Sequence, residues 1–251
     1  MVTGAPIRNM NAKTIDIAGI LKSCGVFADL GDASLRELCG KARIEHFSER
    51  TLLNLRGENQ DYLRYVVSGS VDMVLSTADG GYSCLPILPG RWATWLGCFG
   101  AEPLVHDLWS SGHATAVAFP CRDVQKAVAD NPQALQQVIE RVGEWTRFLT
   151  GWMLSFSAYA PEKRLAYLLL LASSKACGIA QEGAPTALTQ AHIGQFGFGS
   201  RQKVGRLLRS LSEKVLVGTR YGAVVIPSRA RLEAFIADGP ERAAATAFGA
   251  A

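Results

Sequence analysis

The stretch Ser200-Arg201-Gln202-Lys203-Val204-Gly205-Arg206 carries the residue types and the spacing with which specific chemistry could be done. On a helix, Gln202, Arg206 and Arg209 stand at i, i+4 and i+7 and so share one face, with Arg201 and Lys203 in the first turn. A guanidinium on such a face can bridge O6 and N7 of guanine, and a carboxamide can bridge N6 and N7 of adenine. From Arg201 to Arg220 the bases are Arg201, Lys203, Arg206, Arg209, Lys214 and Arg220, and the only acid is Glu213. A local excess of that kind binds phosphate by releasing condensed counterions, which makes the binding salt-sensitive.

Several elements must position these side chains. Val204, Leu207, Leu208 and Leu211 fall on the other side of the helix Arg201–Lys214 and are expected to pack inward. Ser200 is its N-cap, and Thr189 is the N-cap of a preceding helix, Gln190–Phe196. Gly197-Phe198-Gly199 is a tight turn between the two. A helix–turn–helix whose second helix presents Arg and Gln from its first turns suits the DNA major groove. Val215–Ile226 follows as two short strands around Arg220-Tyr221-Gly222, a wing able to touch phosphate. Thr189, Ser200, Arg201, Gln202, Lys203, Arg206, Arg209 and Arg220 are therefore the candidate DNA-binding residues.

Upstream lies a long helix, opened by Asn131-Pro132 and stopped at Ala160-Pro161. Its large apolar residues, Leu135, Val138, Val142, Trp145, Leu149, Trp152, Phe156 and Tyr159, recur in steps of three and four. That is the seam of a two-helix contact. Glu140, Arg141, Glu144 and Arg147 form a charged back face. Leu135 to Phe156 of this seam are the candidate dimer interface, with Gly143 and Gly151 beside the bulky Trp145 and Trp152.

Before that helix, Ile44–Phe119 has a different texture. Leu63, Tyr65 and Val67 alternate with polar neighbours, as do Val71, Met73 and Leu75, and glycines recur at short intervals. Asp79-Gly80 reads as a hairpin turn. Short strands with regular turns predict an antiparallel barrel or roll, flanked by short helices over Ile15–Phe27, from Asp32, and over Cys121–Asp130. Another helix is expected over Glu162–Ala176 and a loop over Ser173–Pro185.

With 48% hydrophobic and 19% charged residues, the 251-residue chain is globular rather than disordered. Its net charge of +4 is too small to name a partner by itself. No apolar run approaches the roughly 18 residues of a membrane span, and Met1–Lys13 lacks the features of a signal peptide, so a cytoplasmic protein is expected. The cysteines at 24, 39, 84, 98, 121 and 177 are scattered, with no C-x-x-C pair, which argues for buried thiols over disulfides, zinc or iron–sulfur ligation. No Ser/His/Asp order or nucleotide-binding Gly loop stands out, so no enzyme is expected.

Taken together, Tyr65-Val66-Val67-Ser68-Gly69-Ser70-Val71, the Leu88-Pro89-Gly90 turn, the seam helix and Ser200–Arg206 resemble the catabolite-activator/FNR (CRP/FNR) family of bacterial transcription regulators, from about Ile20 to Phe235. The resemblance implies an α+β chain: a cyclic-nucleotide-binding-like β-roll over residues 15–131, a dimerisation helix over 132–160 and a winged helix–turn–helix over 161–235, between flexible ends at 1–14 and 236–251. It assigns Ser200 to phosphate and Arg201, Gln202 and Arg206 to bases. The family's recognition helix has Glu where Gln202 stands, and a carboxylate accepts from cytosine whereas an amide also donates.

The ligand cassette departs further. Its nucleotide-binding Glu is replaced by Trp95, and Leu104–His106 contain no phosphate-binding Arg, so poor binding of cyclic AMP is expected. Trp92, Trp95 and His106, with Leu149 and Thr150 of the seam helix, are the candidate pocket residues, and Trp92 and Trp95 could themselves fill the space. The FNR-type cysteine cluster is absent, and no metal or cofactor is expected. The implied partners are a second copy of the chain, a pseudo-palindromic double-stranded operator and, for an activator, RNA polymerase. The competing expectations are a small-ligand-sensing module that acts on a protein partner, and a cupin-like enzyme, which would need a His/Glu metal cluster on the strands.

Overall fold

A computed structural model of the chain describes residues 15–76, 78, 82–129, 131–172, 185–220 and 223–238. The Asp79-Gly80 turn, the Tyr221-Gly222 tip of the wing, Cys177 and both expected flexible ends (bar residues 236–238) lie outside the described residues.

The described residues open with three short helices, α1 (Ile17–Lys22), α2 (Gly25–Ala28) and α3 (Asp32–Lys41). The single helix expected over Ile15–Phe27 is thus two. Asp16 caps the first, its carboxylate accepting from the Gly19 N–H at 2.8 Å, and the chain turns at Ser23-Cys24 before the second. Eight strands follow: β1 (Arg43–Phe47), β2 (Thr51–Asn54), β3 (Tyr62–Ser68), β4 (Val71–Ser76), β5 (Tyr82–Ile87), β6 (Trp92–Ala93), then, after helix α4 (Trp95–Phe99), β7 (Asp107–Ser110) and β8 (Ala114–Pro120). They form two four-stranded antiparallel sheets, ordered β1-β8-β3-β6 and β2-β7-β4-β5, which is the expected roll.

The alternation seen in the sequence does the sorting. Val66, Val71, Ile87, Ala93, Leu104 and Leu108 meet in the interior of the roll, and Leu63, Val117 and Phe119 face the helices. Gly69 closes the β3–β4 turn at φ +71°, and a β-carbon there would come within 2.7 Å of the Ala114 Cα. The Ala114 backbone leaves that position little room to relax.

Helix α5 (Cys121–Ala129) leads into α6 (Pro132–Ala158), the long helix anticipated from Asn131-Pro132. Asn131 caps it, accepting from the Ala134 N–H at 3.0 Å. After the Pro161 break come α7 (Pro161–Ala172), β9 (Pro185–Thr189), α8 (Gln190–Ile193), a π-turn over Gly194–Phe198, α9 (Arg201–Glu213), β10 (Gly218–Arg220), β11 (Ala223–Val225) and α10 (Arg229–Ala237). Strands β10, β11 and β9 make a small antiparallel sheet. A separate core holds this part together, built on Leu165, Leu168, Leu169, Ile193, Val204 and Leu211, with Trp152 of α6 inserted.

Helix α6 belongs to both cores. Ala134, Val138 and Val142 pack against the roll and its helices, while Phe148 and Trp152 pack into the C-terminal core. The handover falls between Val142 and Phe148. The two parts also touch directly, because Leu85 and Leu88 from the roll pack against the C-terminal core.

Candidate nucleic-acid interface

Helix α9 has the two faces its sequence promised. Val204, Leu208 and Leu211 are buried, and Arg201, Gln202, Lys203, Arg206 and Arg209 are all exposed. Ser200 caps the helix, its hydroxyl accepting from the Lys203 N–H at 3.4 Å. Gly197, at φ +83°, makes the turn that redirects the chain from α8 into α9. Thr189 caps α8 through a reciprocal pair: its hydroxyl accepts from the His192 N–H at 3.2 Å, and its own N–H donates to His192 Nδ1 at 3.4 Å. His192, unassigned from sequence, thus takes the role usually played by Glu or Gln in a capping box. His46, likewise unassigned, lies with Nδ1 3.2 Å from the Thr115 hydroxyl.

The exposed basic face is anchored from behind. Glu162 at the start of α7 accepts at 2.6 Å from both the Ser210 hydroxyl and the Lys214 ammonium, which pins the C-terminal half of α9. Burial pushes the Glu162 carboxyl up, but those two donors and the charge of Lys214 carry it below its ordinary value. Beside the face runs a groove of about 240 Å³, lined by Gln190, Gly205, Leu208, Arg209, Ser212 and Thr219. Arg220 ends strand β10 at the base of the wing. Thr189 and Ser200 thus cap the two successive helices, and the exposed α9 residues run from its first turn to Arg209.

Helix α6 connects to this unit through aromatic rings. Trp152 meets Phe156, Phe196 and Phe198 at centroid distances of 5.1, 5.8 and 5.7 Å. The Arg164 guanidinium lies 4.4 Å over Phe156 and 5.3 Å over Phe198. A β-carbon on Gly197 would be 3.3 Å from the Phe156 ring, so the turn itself rests on α6.

These contacts use up part of the expected seam. Val138 and Trp152 are buried within their own chain, and Val142, Trp145 and Leu149 are half-buried. Only Leu135 and Phe156 of the seven candidates are exposed. The side of α6 left open is displaced by one residue from the expected seam: Ile139 (71% exposed), Thr146, Thr150, Met153 (65% exposed) and Ser157. The apolar band is wider than one helix face, and its inner edge is taken by the two cores.

The candidate pocket residues divide. Trp92 packs among Phe27, Tyr65, Trp95 and Phe119 at centroid distances of 5.3, 5.2, 5.5 and 5.4 Å, and Trp95 also stacks on Phe99 at 6.2 Å. Trp95, 7% exposed, belongs to the core between the roll and its N-terminal helices. The two indoles thus fill space rather than line an opening. His106 is half-buried with Nε2 enclosed and unpartnered among the described residues, and burial holds its pKa below the ordinary value. Leu149 is half-buried and Thr150 exposed on α6. Among the described residues no group of three or more His, Cys, Asp or Glu is placed to hold a metal ion. No described helix is long and apolar enough to cross a membrane.

No protein-family model matches the chain. It is 24% identical over 199 residues, 78% of this chain and 94% of the relative, to the cAMP-activated global transcriptional regulator CRP of Salmonella typhimurium, and equally to that of Klebsiella aerogenes. Among solved structures, FixK2 from Bradyrhizobium japonicum superposes with a TM-score of 0.64 at 18% identity, covering 79% of this chain and 98% of that one. A CooA mutant from Carboxydothermus hydrogenoformans gives 0.59 at 16% identity over 80% and 90% of the two chains. Over about four fifths of its length, then, the chain has the fold of the CRP/FNR regulators, which it also resembles in sequence.

Proposed function

We propose that the chain is a homodimeric, sequence-specific DNA-binding transcription regulator, in which the roll senses, α6 joins the two copies and α9 reads the major groove. One observation carries this reading. Arg201, Gln202, Lys203, Arg206 and Arg209 are all exposed on a helix whose other side is locked into a core. Among the described residues no carboxylate pairs with that face, and a groove of phosphates with base edges between them is the surface that matches it. Two such helices must sit about 34 Å apart to enter successive major grooves on one side of a duplex. The test is a mobility-shift titration against random and selected duplexes. A selected site should emerge, with log K falling linearly in log salt by roughly 0.9 per phosphate neutralised. Equal affinity for every duplex would refute sequence-specific reading, and no binding at low salt would refute the function.

The dimer is assigned to the open side of α6. Exposed Ile139, Met153 and Leu154 are large apolar groups in positions where a solitary chain would leave them in water. Ile139→Asp should convert the dimer to monomer in sedimentation while leaving the circular dichroism unchanged. A surviving dimer would place the interface elsewhere.

The roll is assigned no ordinary response to cyclic AMP. With Trp95 in the place the resemblance gives to the ribose-binding Glu, and with the buried Arg64 opposite Ala93 already held by Glu45 at 2.8 Å, a cyclic phosphate would be desolvated among side chains such as Leu104 without a cation free to meet it. Cyclic AMP should therefore leave the melting temperature where it was. A rise of several degrees would show a working nucleotide site.

A further inference from the structure

The break between α6 and α7 carries a charged group with aromatic partners. Arg164 stands near the start of α7, three residues past Pro161. Its guanidinium lies 4.4 Å over the Phe156 ring and 5.3 Å over the Phe198 ring. Phe156 is in the last turn of α6, and Phe198 belongs to the turn that leads into α9. One side chain of α7 thus touches two other elements. Among the described residues no carboxylate pairs with Arg164, and its Nε is enclosed without a hydrogen-bond partner. The acid two residues before it, Glu162, is engaged by Ser210 and Lys214. Burial lowers the pKa of Arg164, and the two ring faces are what offsets that burial, since a cation over an aromatic ring is attracted more strongly once water is removed. One turn further along α7, the Tyr167 hydroxyl lies so close to α6 that a β-carbon on Gly151 would collide with it. The two helices are therefore tightly joined, and Arg164 links that joint to the turn before α9.

We propose that Arg164 is a positioning residue for the reading of DNA: by bridging Phe156 and Phe198 it fixes the direction of α9 relative to α6, and with it the separation of the two reading helices in a dimer. This rests on the function proposed above. The physical reason is leverage. Tyr159, at the end of α6, is extended with φ −122° and ψ 138°, so the chain can pivot there without breaking a helical hydrogen bond. A small rotation at that pivot swings α9 through a larger distance. Trp152 holds the C-terminal core to α6 by apolar contact, which has no preferred direction of its own. A guanidinium over two rings is directional, because the attraction belongs to the ring faces, and it selects one angle among those that packing permits. The role needs no contact between Arg164 and DNA, which sets it apart from a phosphate-binding arginine.

The test uses the full chain and three kinds of duplex: the selected operator, the same half-sites respaced by one base pair in either direction, and a scrambled sequence. Arg164→Met keeps the apolar stem and removes the charge. Its affinity for the selected operator should fall about fivefold or more, the equilibrium value of one desolvated cation–π contact. Its discrimination against the respaced operators should fall as well, while the slope of log K against log salt stays that of the parent. A phosphate-binding arginine would instead lower that slope by about one and leave the spacing preference intact. That result overturns the proposal, as do parent-like affinity and discrimination. Phe156→Leu removes the ring but keeps an apolar side chain, and it decides the matter if Arg164→Met does not fold. It should lose the same discrimination while remaining a dimer in sedimentation, and the two changes together should cost little more than either alone. Parent-like discrimination in Phe156→Leu overturns the proposal, and so does a monomer, because the ring would then be serving the partner copy. If the parent itself selects no duplex, the reading of DNA has failed on its own account, and proteolysis judges the Arg164 contact. Arg164→Met should then be cut at Tyr159–Pro161 about fivefold faster or more, since cleavage follows the population of the opened joint, and an unchanged rate overturns the contact's role.

Discussion

Trp152→Ala is expected to destabilise the C-terminal part by about 3–5 kcal/mol, the range for emptying a buried Trp site. Trp152 is 7% exposed and touches Phe156, Phe196 and Phe198, so truncation opens a cavity whose walls are other large rings. Those walls cannot collapse easily. Phe198 is held under Arg164, and Phe196 stands in the turn before α9. The effect reaches the reading helix, because the turn at Gly197 rests on Phe156 of α6. Chemical denaturation followed by circular dichroism measures the loss, and limited proteolysis should cut first near Tyr159–Pro161. A loss below about 1 kcal/mol would mean that the C-terminal core stands without α6.

Arg206→Ala should lower affinity for the selected DNA site by about 1–3 kcal/mol and relax the preference at one base pair. Arg206 is exposed, four residues after Gln202, and packs into neither core. The variant should therefore fold like the parent, so the loss isolates recognition from stability. Lys203→Ala makes the contrast: a phosphate contact is lost evenly across sequences, and the salt slope falls by about one. Competition titrations against the selected and a scrambled duplex separate the two patterns. If Arg206→Ala weakens both duplexes equally, Arg206 binds backbone and the base-reading face is elsewhere on α9.

The helix–turn–helix was the most legible part of the sequence, because local rules determine it. Thr189 and Ser200 could be read as caps, Gly197 as the turn and the α9 periodicity as one face inward, each from a few neighbouring residues. The extent of α6 was legible for the same reason, from Asn131-Pro132 at one end and Pro161 at the other. Which edge of its apolar band faces outward was not. A three-four pattern gives a band but not its partner, and here two intrachain cores claim Val138 and Trp152.

Helix α4 was missed because Trp95-Leu96-Gly97-Cys98-Phe99 is a short apolar run that a strand would also suit. The structure turns it into a helix after Thr94 adopts a left-handed conformation at φ +61°. Strand β9 was missed as well: Pro185–Thr189 has little pattern of its own and is ordered by pairing with β11. Helix α10 is capped by Ser228 and buries Leu232 with Phe235 and Ile236 packed beside it, too short a periodicity to be read in advance.

One helix that serves two hydrophobic cores has a consequence for how the molecule comes apart. If the N-terminal half of α6 frays, the C-terminal part loses the continuous rod that presents Trp152 to it; if the C-terminal core melts, the rod loses its far anchor. The two cores are then not independent folding units but share one cooperative transition, in contrast to parts joined by a loose tether. Stability becomes a shared quantity: whatever binds and steadies the roll also raises the free energy needed to open the reading head, with no contact between the ligand and that head. Calorimetry of the intact chain should accordingly register a single melting event.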